Sequence, residues 1–567
     1  MHEDLASAPA PNARDEPIVG WDDVVAFLAR PETHGLTEPV VRIDTHIAVV
    51  FLAGHLAYKI KRPVRFPFLD FSSPAARETA CRREIAVDRP IAPEIYRRAV
   101  PITREADGSF AIGGAGTPVE WAVEMNRFDE NATLDRRLET GPLDPAFVDD
   151  LAATIARAQA RARVRDAGEW AADLASYVEQ NADAFVDRPD LFPPHRAERF
   201  ARACRERLAD LADLIEDRGR LGRIRLAHGD MHCANVAVID GRPLLFDAIE
   251  FDDRIATGDV LYDVGFLIMD VCARGDREGA RRLLDRFLLE TVRLESRGPR
   301  LVDVEELFLT EIDGLAALPL YLAVRAALRA KISAATARHL DADHRPFAEA
   351  NARRFFAAAL DYVEPARPRL VAVGGLSGSG KSTLARALAA DLAPAPGAMV
   401  LRSDEIRKLV AGVGDTVRLG AEHYTRDASD RVYRLLLAAA AAALAAGRSV
   451  VTDAVSLHPE ERDRFAAIAR ASEADFTGLW LDVAPEVAAA RVAARTGDAS
   501  DADARVVAFQ AGLDPGAIDW PRIDASGPPA ETLAAARALM PSPRNDEGAA
   551  ERTAAPRSDA RLTATVH

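Results

Sequence analysis

Residues 373–384 read Val373-Gly374-Gly375-Leu376-Ser377-Gly378-Ser379-Gly380-Lys381-Ser382-Thr383-Leu384. This segment matches the phosphate-binding loop pattern G-x-x-x-x-G-K-[ST]. The apolar run at 370–373 predicts a buried parallel strand before the loop, and the Ala/Leu-rich run at 383–392 predicts a helix after it. Glycines let successive backbone N–H groups point at one anion, and a helix N-terminus adds partial positive charge. The segment therefore predicts a phosphate-binding loop between a strand and a helix.

The loop and the start of its helix supply the expected nucleotide contacts. We expect Lys381 to reach the β- and γ-phosphates of ATP and the Ser382 hydroxyl to bind Mg²⁺. A plain Gly/Ser turn is the alternative, and the agreement of both flanks with the motif disfavours it. The predicted nucleotide-binding residues are Gly375, Ser377, Gly378, Ser379, Gly380, Lys381, Ser382 and Thr383.

Composition narrows the class of protein. At 567 residues the chain predicts about three or four folding units of ~150 residues. The formal net charge of −16 argues against nucleic-acid or membrane binding through a basic surface, and it suits solubility or a cationic substrate. No apolar run approaches the ~18–20 residues of a membrane span, and the N-terminus has no secretory pattern. Four cysteines without C-x-x-C spacing suit free thiols. We expect a cytoplasmic protein without membrane contact.

Lysine is rare in this chain, which otherwise uses arginine as its basic residue. An ammonium and a guanidinium are not interchangeable, so each lysine suggests a specific role. We expect Lys408 to be a surface residue. The lysines are Lys59, Lys61, Lys331, Lys381 and Lys408.

The order of the predicted elements divides the chain. Residues 1–17 and 541–567 are predicted disordered tails, rich in Ala and in Pro or polar residues. Residues 18–363 begin with strands and a hairpin around Gly54 and then become mostly helical. The segment 362–368 carries two prolines and reads as a linker that few contacts cross, so each part is expected to fold alone. Strands and helices then alternate through 364–540, the order of a doubly wound parallel sheet.

A second polar stretch reads His228-Gly229-Asp230-Met231-His232-Cys233-Ala234-Asn235, and an apolar strand further on ends at Asp247. Phosphoryl transfer needs a group that orients the acceptor hydroxyl and accepts its proton, and oxygen atoms that hold Mg²⁺. Asp230 suits the first role, and Asn235 with Asp247 suits the second. An iron or zinc site built from His228, Asp230 and His232 is the alternative, but the amide and the added carboxylate favour a hard cation.

This run, H-G-D-x-H-x-x-N, resembles the catalytic loop and metal aspartate of the aminoglycoside phosphotransferase family, over roughly residues 18–360. The family is similar to protein kinases, so the resemblance implies a protein-kinase-like bilobal domain. It also implies that Asp230 is the catalytic base and that Asn235 and Asp247 bind Mg²⁺. By the same resemblance, His228 and His232 shape the loop.

Upstream, Leu56-Ala57-Tyr58-Lys59 resembles the kinase strand V-A-I-K, whose lysine binds phosphates. Lys61 is the alternative lysine, and a pair of exposed strand lysines is the plain alternative to both. The resemblance implies a partner carboxylate on the next helix, for which we prefer Glu84 over Glu78. It also implies a hinge at 124–126, where Met125 meets adenine through its backbone.

In the C-terminal part, Asp404 follows the second predicted strand and can take a proton from an acceptor hydroxyl. Arg407, three residues on, can hold an anionic acceptor group. Asp453 ends the third strand as a metal or water contact, and Arg491 with Arg495 can close as a lid on the transferring phosphate. The alternatives are a helix N-cap for Asp404 and a solvated helix face for the two lid arginines.

This pattern resembles the small P-loop kinases, such as polynucleotide 5′-kinase, zeta toxin, gluconate kinase and shikimate kinase, over about residues 368–540. The sequence therefore predicts an α/β and α+β chain with a protein-kinase-like bilobal domain followed by a P-loop kinase domain. We expect a bifunctional phosphotransferase that uses ATP and Mg²⁺ on small hydroxyl-bearing molecules, with nucleic acid only as an end-phosphorylation substrate. Two alternatives remain. The P-loop half acts on a nucleotide, a nucleic-acid end or an activated sugar, or one half is a non-catalytic regulatory module.

Overall fold

The computed structural model describes residues 20–66, 69–298, 303–495 and 497–540. We call residues 20–363 the N-terminal part and residues 364–540 the P-loop part. The two predicted tails lie outside the described residues.

The N-terminal part begins with a six-stranded antiparallel sheet in the order β1-β2-β3-β8-β6-β7. The predicted hairpin joins β2 and β3, and Gly54 adopts a positive φ of 61° at its turn. Alternate residues of β2 and β3 form an apolar cluster around Phe51 and Ile60 on one face of the sheet, and most of the other residues of both strands are buried as well. The elements are α1 (Trp21–Leu28), β1 (Val41–Asp44), β2 (Ala48–Ala53), β3 (Leu56–Lys61), β4 (Arg65–Phe66), β5 (Leu69–Asp70), α2 (Pro74–Asp88), β6 (Tyr96–Arg104), β7 (Phe110–Ile112) and β8 (Thr117–Asn126).

A helical lobe follows, and short strand pairs carry the polar loop between its helices. The apolar faces of its helices form one cluster, with α9 buried along nearly its whole length. The elements are α3 (Leu134–Thr140), α4 (Pro145–Arg161), α5 (Ala167–Val186), α6 (Pro194–Asp210), α7 (Ala212–Arg220), β9 (Ile224–Leu226), β10 (Val236–Ile239), β11 (Arg242–Leu245), α8 (Asp253–Ala256), β12 (Thr257–Asp259), α9 (Val260–Ala273), α10 (Arg277–Ser296), α11 (Val304–Asp313), α12 (Leu318–Ala337) and α13 (Arg345–Val363).

The P-loop part is a five-stranded parallel sheet in the order β14-β15-β13-β16-β17, with helices between successive strands. In β13 every residue after Arg369 is buried, and β15 is buried throughout, as in parallel strands covered on both faces. The elements are β13 (Arg369–Gly375), α14 (Lys381–Ala389), β14 (Met399–Arg402), α15 (Ser403–Val410), α16 (Arg426–Ala445), β15 (Val450–Asp453), α17 (Pro459–Ala471), β16 (Asp475–Asp482), α18 (Pro485–Ala494), α19 (Ala504–Ala511), β17 (Arg522–Asp524) and α20 (Pro529–Leu539).

The two parts pack closely against each other. Helix α10 lies on β14 and α14, and α11 lies on α16. One apolar cluster runs without a break from Leu360 of α13 to Leu370 and Met399 of the P-loop sheet. Asp415, after α15, pairs with Arg286 of α10 at 2.5 Å. The expectation that few contacts cross the Pro-containing linker is therefore wrong, because α10 and α11 pack against helices and a strand of the second part.

One helical stretch, residues 304–337, is long and apolar enough to cross a membrane by length and composition. It comprises α11, a short 3₁₀ turn and α12. Within the protein, 72% of its most apolar window is buried. Burial of this kind is what a core helix shows, and here α12 packs against α5, α9 and α13.

Candidate active sites

Lys59 and Lys61 of β3 share one buried carboxylate. Glu84 of α2 forms an ion pair with each lysine, with Lys59 Nζ 3.0 Å from Oε1 and Lys61 Nζ 2.6 Å from Oε2. Lys59 Nζ also lies 2.6 Å from Asp247 Oδ1, while Lys61 Nζ lies 2.5 Å from Glu250 Oε1. The alternative of two exposed strand lysines is therefore wrong, and Glu84 rather than Glu78 is the partner.

Opposite charges keep the groups of this network ionised, and its two lysines differ in how far their side chains are exposed to solvent. Burial opposes the charge on Lys59, but Asp247 and Glu84 outweigh it and raise its pKa well above the usual value. Burial would likewise raise the pKa of Glu84, but the two lysines lower it. The side chain of Lys59 is 14% exposed and that of Asp247 41%, against 1% for Lys61. Lys59 therefore keeps contact with solvent, and Lys61 is enclosed.

Asp230 lies in the loop after β9, held by its own neighbours. The Asn235 side-chain amide donates to the Asp230 carbonyl at 2.9 Å and to its Oδ2 at 3.3 Å. His232 Nε2 lies 3.5 Å from the same Oδ2. Partial withdrawal from water would raise the pKa of Asp230, but His232, His228 and then Arg325 lower it below its usual range. The carboxylate is thus ionised and oriented, as a group that accepts a hydroxyl proton needs to be.

A second carboxylate shapes this loop from α9. Asp263 accepts from the backbone N–H of Gly229 at 3.0 Å and of His228 at 3.3 Å. Gly229 has a φ of 80°, and a Cβ there would lie 2.9 Å from Ala256 Cα, so the turn requires glycine. His228 Nε2–H donates to the Phe246 carbonyl at 3.0 Å, which ties the loop to the strand before Asp247.

In the P-loop part, the chain turns from β13 into α14 through the predicted glycine loop. Gly378 has a φ of 80°, and a Cβ there would lie 2.5 Å from the Ala488 carbonyl oxygen, so only glycine fits. Lys381 Nζ donates to the Leu376 carbonyl at 2.9 Å, and the Ser377 N–H donates to Gln510 Oε1 of α19 at 2.8 Å. Both of these donors therefore bind oxygen acceptors of the protein, the kind of atom that a phosphate presents.

Arg402, the last residue of β14, binds both predicted metal ligands. Its Nη2 lies 3.1 Å from Ser382 Oγ, and its Nε lies 3.0 Å from Asp453 Oδ2. Nη2 also lies 2.9 Å from Asp498 Oδ1, in the segment between α18 and α19. Ser382 and Asp453 both bind the Arg402 guanidinium, so their oxygen atoms lie near each other. Such hard oxygen atoms fit the donor set that Mg²⁺ takes.

Asp404 lies in the first turn of α15, and the cap position before this helix falls at Arg402, so the N-cap alternative is wrong. Burial and the nearby Asp453 raise the pKa of Asp404, against the charge of Arg402. Arg407 lies one turn on, where Nη1 donates to the His423 carbonyl at 2.6 Å and the guanidinium covers the Tyr424 ring at 4.8 Å. Both residues line a cleft of about 1070 Å³.

Comparison with known proteins assigns both parts. The model of the phosphotransferase enzyme family matches residues 68–299, and an AAA domain model matches residues 370–513. The uncharacterized protein Rv2004c of Mycobacterium tuberculosis strain H37Rv is 30% identical over 510 residues, which is 88% of this chain and 95% of the relative. A Mycobacterium bovis protein matches equally. The chain belongs to the family of these mycobacterial proteins. Its N-terminal part is a phosphotransferase domain of kinase-like fold.

Solved structures resemble one part or the other. A gluconokinase from Sinorhizobium meliloti 1021 is 27% identical and covers 30% of this chain and 94% of its own, with a TM-score of 0.22. A choline/ethanolamine kinase family protein from Mesorhizobium loti is 16% identical and covers 60% of this chain and 98% of its own, with a TM-score of 0.34. The predicted fold class is confirmed: a kinase-like bilobal domain precedes a P-loop kinase domain, and the chain is an enzyme of kinase-type phosphoryl transfer.

The predicted lid arginines of the P-loop domain line the same cleft as Lys381. Arg491 Nη2 donates to the carbonyls of Ser526 and Gly527 at 3.2 and 3.1 Å. Arg495 Nη2 donates to the carbonyls of Ser500 and Ala502, both at 3.1 Å. A solvated helix face predicts no such contacts.

Two other expectations, one in each domain, meet a different geometry. Met125 lies within β8, where it pairs with Ala57 and Tyr96, so its backbone is part of the sheet and not yet a connecting segment. Lys408 is buried, with Nζ 2.6 Å from Asp501 Oδ2, and the expectation of a surface lysine is wrong. The hydrophobic burial of α15 carries Lys408 inward, where the lid-side Asp501 pairs with it.

Within the described part of the chain, no group of three or more His, Cys, Asp or Glu side chains is arranged to hold a metal ion. His228, Asp230 and His232 do not form such a group among these residues, which leaves the iron or zinc alternative without support. Mg²⁺ in kinases is held by one or two protein oxygen ligands together with phosphate and water oxygens. Asn235 and Asp247, beside Lys59, fit that arrangement.

Arg402 and Asp498 are site residues that the sequence reasoning did not single out. A signal for Arg402 existed, because it is an arginine at the end of an apolar strand and directly precedes Ser403 and Asp404. Asp498 had none, since its contact with Arg402 depends on how the segment between α18 and α19 folds back.

Proposed function

We propose that this protein is a bifunctional phosphotransferase whose two domains each transfer the γ-phosphoryl group of ATP to a hydroxyl group of a small molecule. The observation that carries the proposal is a matched pair of sites. In each domain, a lysine suited to phosphate stands with an acidic residue suited to a hydroxyl proton: Lys59 with Asp230, and Lys381 with Asp404. The proposed setting is the cytoplasm, without membrane contact.

In the phosphotransferase domain, Lys59 binds the nucleotide phosphates and Glu84 holds its ammonium group in place. Asn235 and Asp247 would hold Mg²⁺, which would neutralise charge on the phosphate oxygens. Asp230 orients the acceptor hydroxyl and accepts its proton. As the hydroxyl oxygen bonds to the γ-phosphorus, the bond from that phosphorus to the β–γ bridging oxygen breaks. ADP leaves with that electron pair.

In the P-loop domain, the loop N–H groups and Lys381 hold the phosphates, with Ser382 and Asp453 as metal ligands. Asp404 accepts the acceptor proton, and its raised pKa improves it as a base. Arg407 holds an anionic group of the acceptor. Arg491 and Arg495 stabilise the transferring phosphoryl group from the lid.

Four forms of the full-length protein test this proposal: wild type, Lys381→Ala, Asp230→Asn and the double variant. Each is incubated with Mg²⁺, ATP and a pooled metabolite extract, and phosphorylated products are identified by mass spectrometry. Each single variant should lose one set of products and keep the other, and the double variant should lose both. Loss of all products in one single variant would instead assign a non-catalytic role to one domain. Products with a nucleotide or nucleic-acid end as acceptor would favour the alternative for the P-loop half.

A further inference from the structure

Arg325 of α12 is buried beside the phosphotransferase site. Its side chain is 4% exposed. The guanidinium carbon lies 3.9 Å from the ring centre of Tyr262 and 4.6 Å from that of Phe266, both on α9. The two rings form walls that keep water from the guanidinium on these sides.

This guanidinium makes no hydrogen bond and no ion pair within residues 20–66, 69–298, 303–495 and 497–540, and its Nε atom is enclosed without an acceptor. An arginine stays charged when buried, and an unpaired buried charge is strongly unfavourable. Ring contacts offset part of that cost. The other arginines that are equally buried all have carboxylate or carbonyl acceptors: Arg77, Arg218, Arg223, Arg281, Arg293, Arg402, Arg448 and Arg462.

The position of Arg325 connects it to the acceptor side of the site. The His232 ring lies 5.5 Å from the Phe266 ring, and His232 Nε2 lies 3.5 Å from Asp230 Oδ2. The charge of Arg325 is near enough to contribute to the lowered pKa of Asp230. Lys59 and Lys61 are neutralised by their carboxylates. Unlike these two lysines, Arg325 lacks a counter-ion within the described residues.

We propose that Arg325 binds an oxyanion on the acceptor, so that the phosphotransferase domain acts on alcohols that carry a carboxylate or a phosphate group. This inference rests on the proposed function of the same site. An anionic substituent supplies the missing acceptor atoms, and Tyr262 and Phe266 supply a dry wall that strengthens the pair. The net charge of −16 suggested a cationic substrate as one option. The Arg325 guanidinium near Asp230, unpaired within the described residues, instead favours an anionic acceptor.

The first experiment uses full-length Lys381→Ala protein, in which the P-loop site is silenced. A metabolite extract is separated on an anion-exchange resin into retained and flow-through fractions, and each is incubated with Mg²⁺ and ATP. Products that are lost when Asp230→Asn is introduced into this Lys381→Ala protein should come from the retained fraction. If they come from the flow-through, Arg325 does not select an anion, although the phosphotransferase proposal stands. If neither fraction yields such products, both proposals fail together.

The second experiment measures kcat/KM in the same background for alcohols that differ in one substituent. One series is glycerate, glycerol phosphate, glycerol and 3-aminopropane-1,2-diol, and the other is glucuronate, glucose 6-phosphate, glucose and 6-amino-6-deoxyglucose. Anionic members should exceed the neutral ones by roughly 10–100-fold, as a charge-assisted contact does. The carboxylate and phosphate arms identify which oxyanion is preferred.

Arg325→Met should remove that preference, mainly through KM for the anionic members. Arg325→Lys should keep part of it, because the charge remains. The matched control is Arg338→Met, at an exposed arginine at the C-terminal end of α12, which should leave the preference unchanged. ATP binding reports whether each variant is folded, and if Arg325→Met does not fold, the extract experiment with Arg325 intact still decides. A preference that survives in folded Arg325→Met would overturn the assignment.

Discussion

The Asp285 carboxylate of α10 accepts a hydrogen bond from the Val400 backbone N–H of β14 at 3.1 Å. The first residue belongs to the phosphotransferase domain, and the second to the edge strand of the P-loop sheet. Two residues further on, the same strand ends at Arg402, which binds Ser382 and Asp453. The two domains therefore meet at a strand that leads directly into the second active site. The contact with α10 also covers the β14 edge of the P-loop sheet, which would otherwise be exposed.

The ion pairs of Asp415 should contribute measurably to this interface. Its side chain is mostly buried and lies between Arg286 and Arg293 of α10. Asp415→Ala leaves both cations with fewer partners, and we expect a loss of about 2 kcal/mol in the free energy of unfolding, since removing one partner of a fully buried pair costs ~3–5 kcal/mol. Urea unfolding measures it. Glu78→Ala, which removes the exposed pair with Arg82, is the control and should cost less than about 0.5 kcal/mol. Equal effects would contradict a stabilising role for Asp415.

Asp285 should make stability depend on pH. Burial raises its pKa to about 6, against Arg281 and the Val400 N–H, which lower it. The folded protein thus binds this proton more tightly than the unfolded chain does, and the stability due to this group falls as pH rises from about 4 to about 6. Asp285→Asn does not titrate. The free energy of unfolding of the wild type relative to Asp285→Asn should drop by about 2 kcal/mol across that range. A constant difference would mean that Asp285 is not perturbed.

The sequence predicted the parts of both sites that lie close together along the chain. The phosphate loop and the run from His228 to Asn235 carry their chemistry in local spacing, which any fold of the motif preserves. Glu84 could be predicted from the sequence because a single helix follows the lysine strand. The contacts of Arg325 and Asp285 were not accessible, because they depend on which helices pack together. The buried Lys408 shows the same limit, since its partner Asp501 is distant in sequence.

Lys59 and Lys61 should separate into a nucleotide-binding and a structural lysine. Lys59→Met should lower N-terminal ATP turnover by ~10²–10³, because it removes charge from the phosphates in the transition state. Lys61→Met leaves Glu250 without its lysine and Glu84 with one cation only, and should cost about 3 kcal/mol of stability, within the range for a broken buried pair. The measurements are Asp230-dependent phosphoryl transfer and thermal unfolding. The reverse pattern would assign the phosphate role to Lys61, the alternative left open by the sequence.

Arg402 should set the working pH of the P-loop site. Its charge lowers the pKa of Asp404, which burial and Asp453 raise. In Arg402→Gln the pKa of Asp404 should therefore rise further, and the acidic limb of the kcat/KM profile should move to higher pH. The profile is measured in the Asp230→Asn background. Arg522→Gln, at an exposed arginine of the same domain that pairs with Asp482 away from the cleft, is the control and should leave the limb in place. An unchanged acidic limb in Arg402→Gln would show that the charge of Arg402 does not lower the pKa of Asp404.

Asp230→Asn and Asp247→Asn should affect the phosphotransferase domain differently. The first keeps the size of the side chain and its contact with Asn235, but removes the proton acceptor, so transfer should fall by ~10²–10⁴. ATP affinity should change little, because Lys59 carries the phosphates and Asp247 with Asn235 carries the metal. Asp247→Asn removes a charged metal ligand and the 2.6 Å partner of Lys59, so it should weaken Mg²⁺-ATP binding as well as rate. Both are measured in Lys381→Ala protein by acceptor phosphorylation and nucleotide binding. Full transfer activity in Asp230→Asn, or a loss of ATP binding as complete as in Asp247→Asn, would show that the two carboxylates do not divide the work in this way.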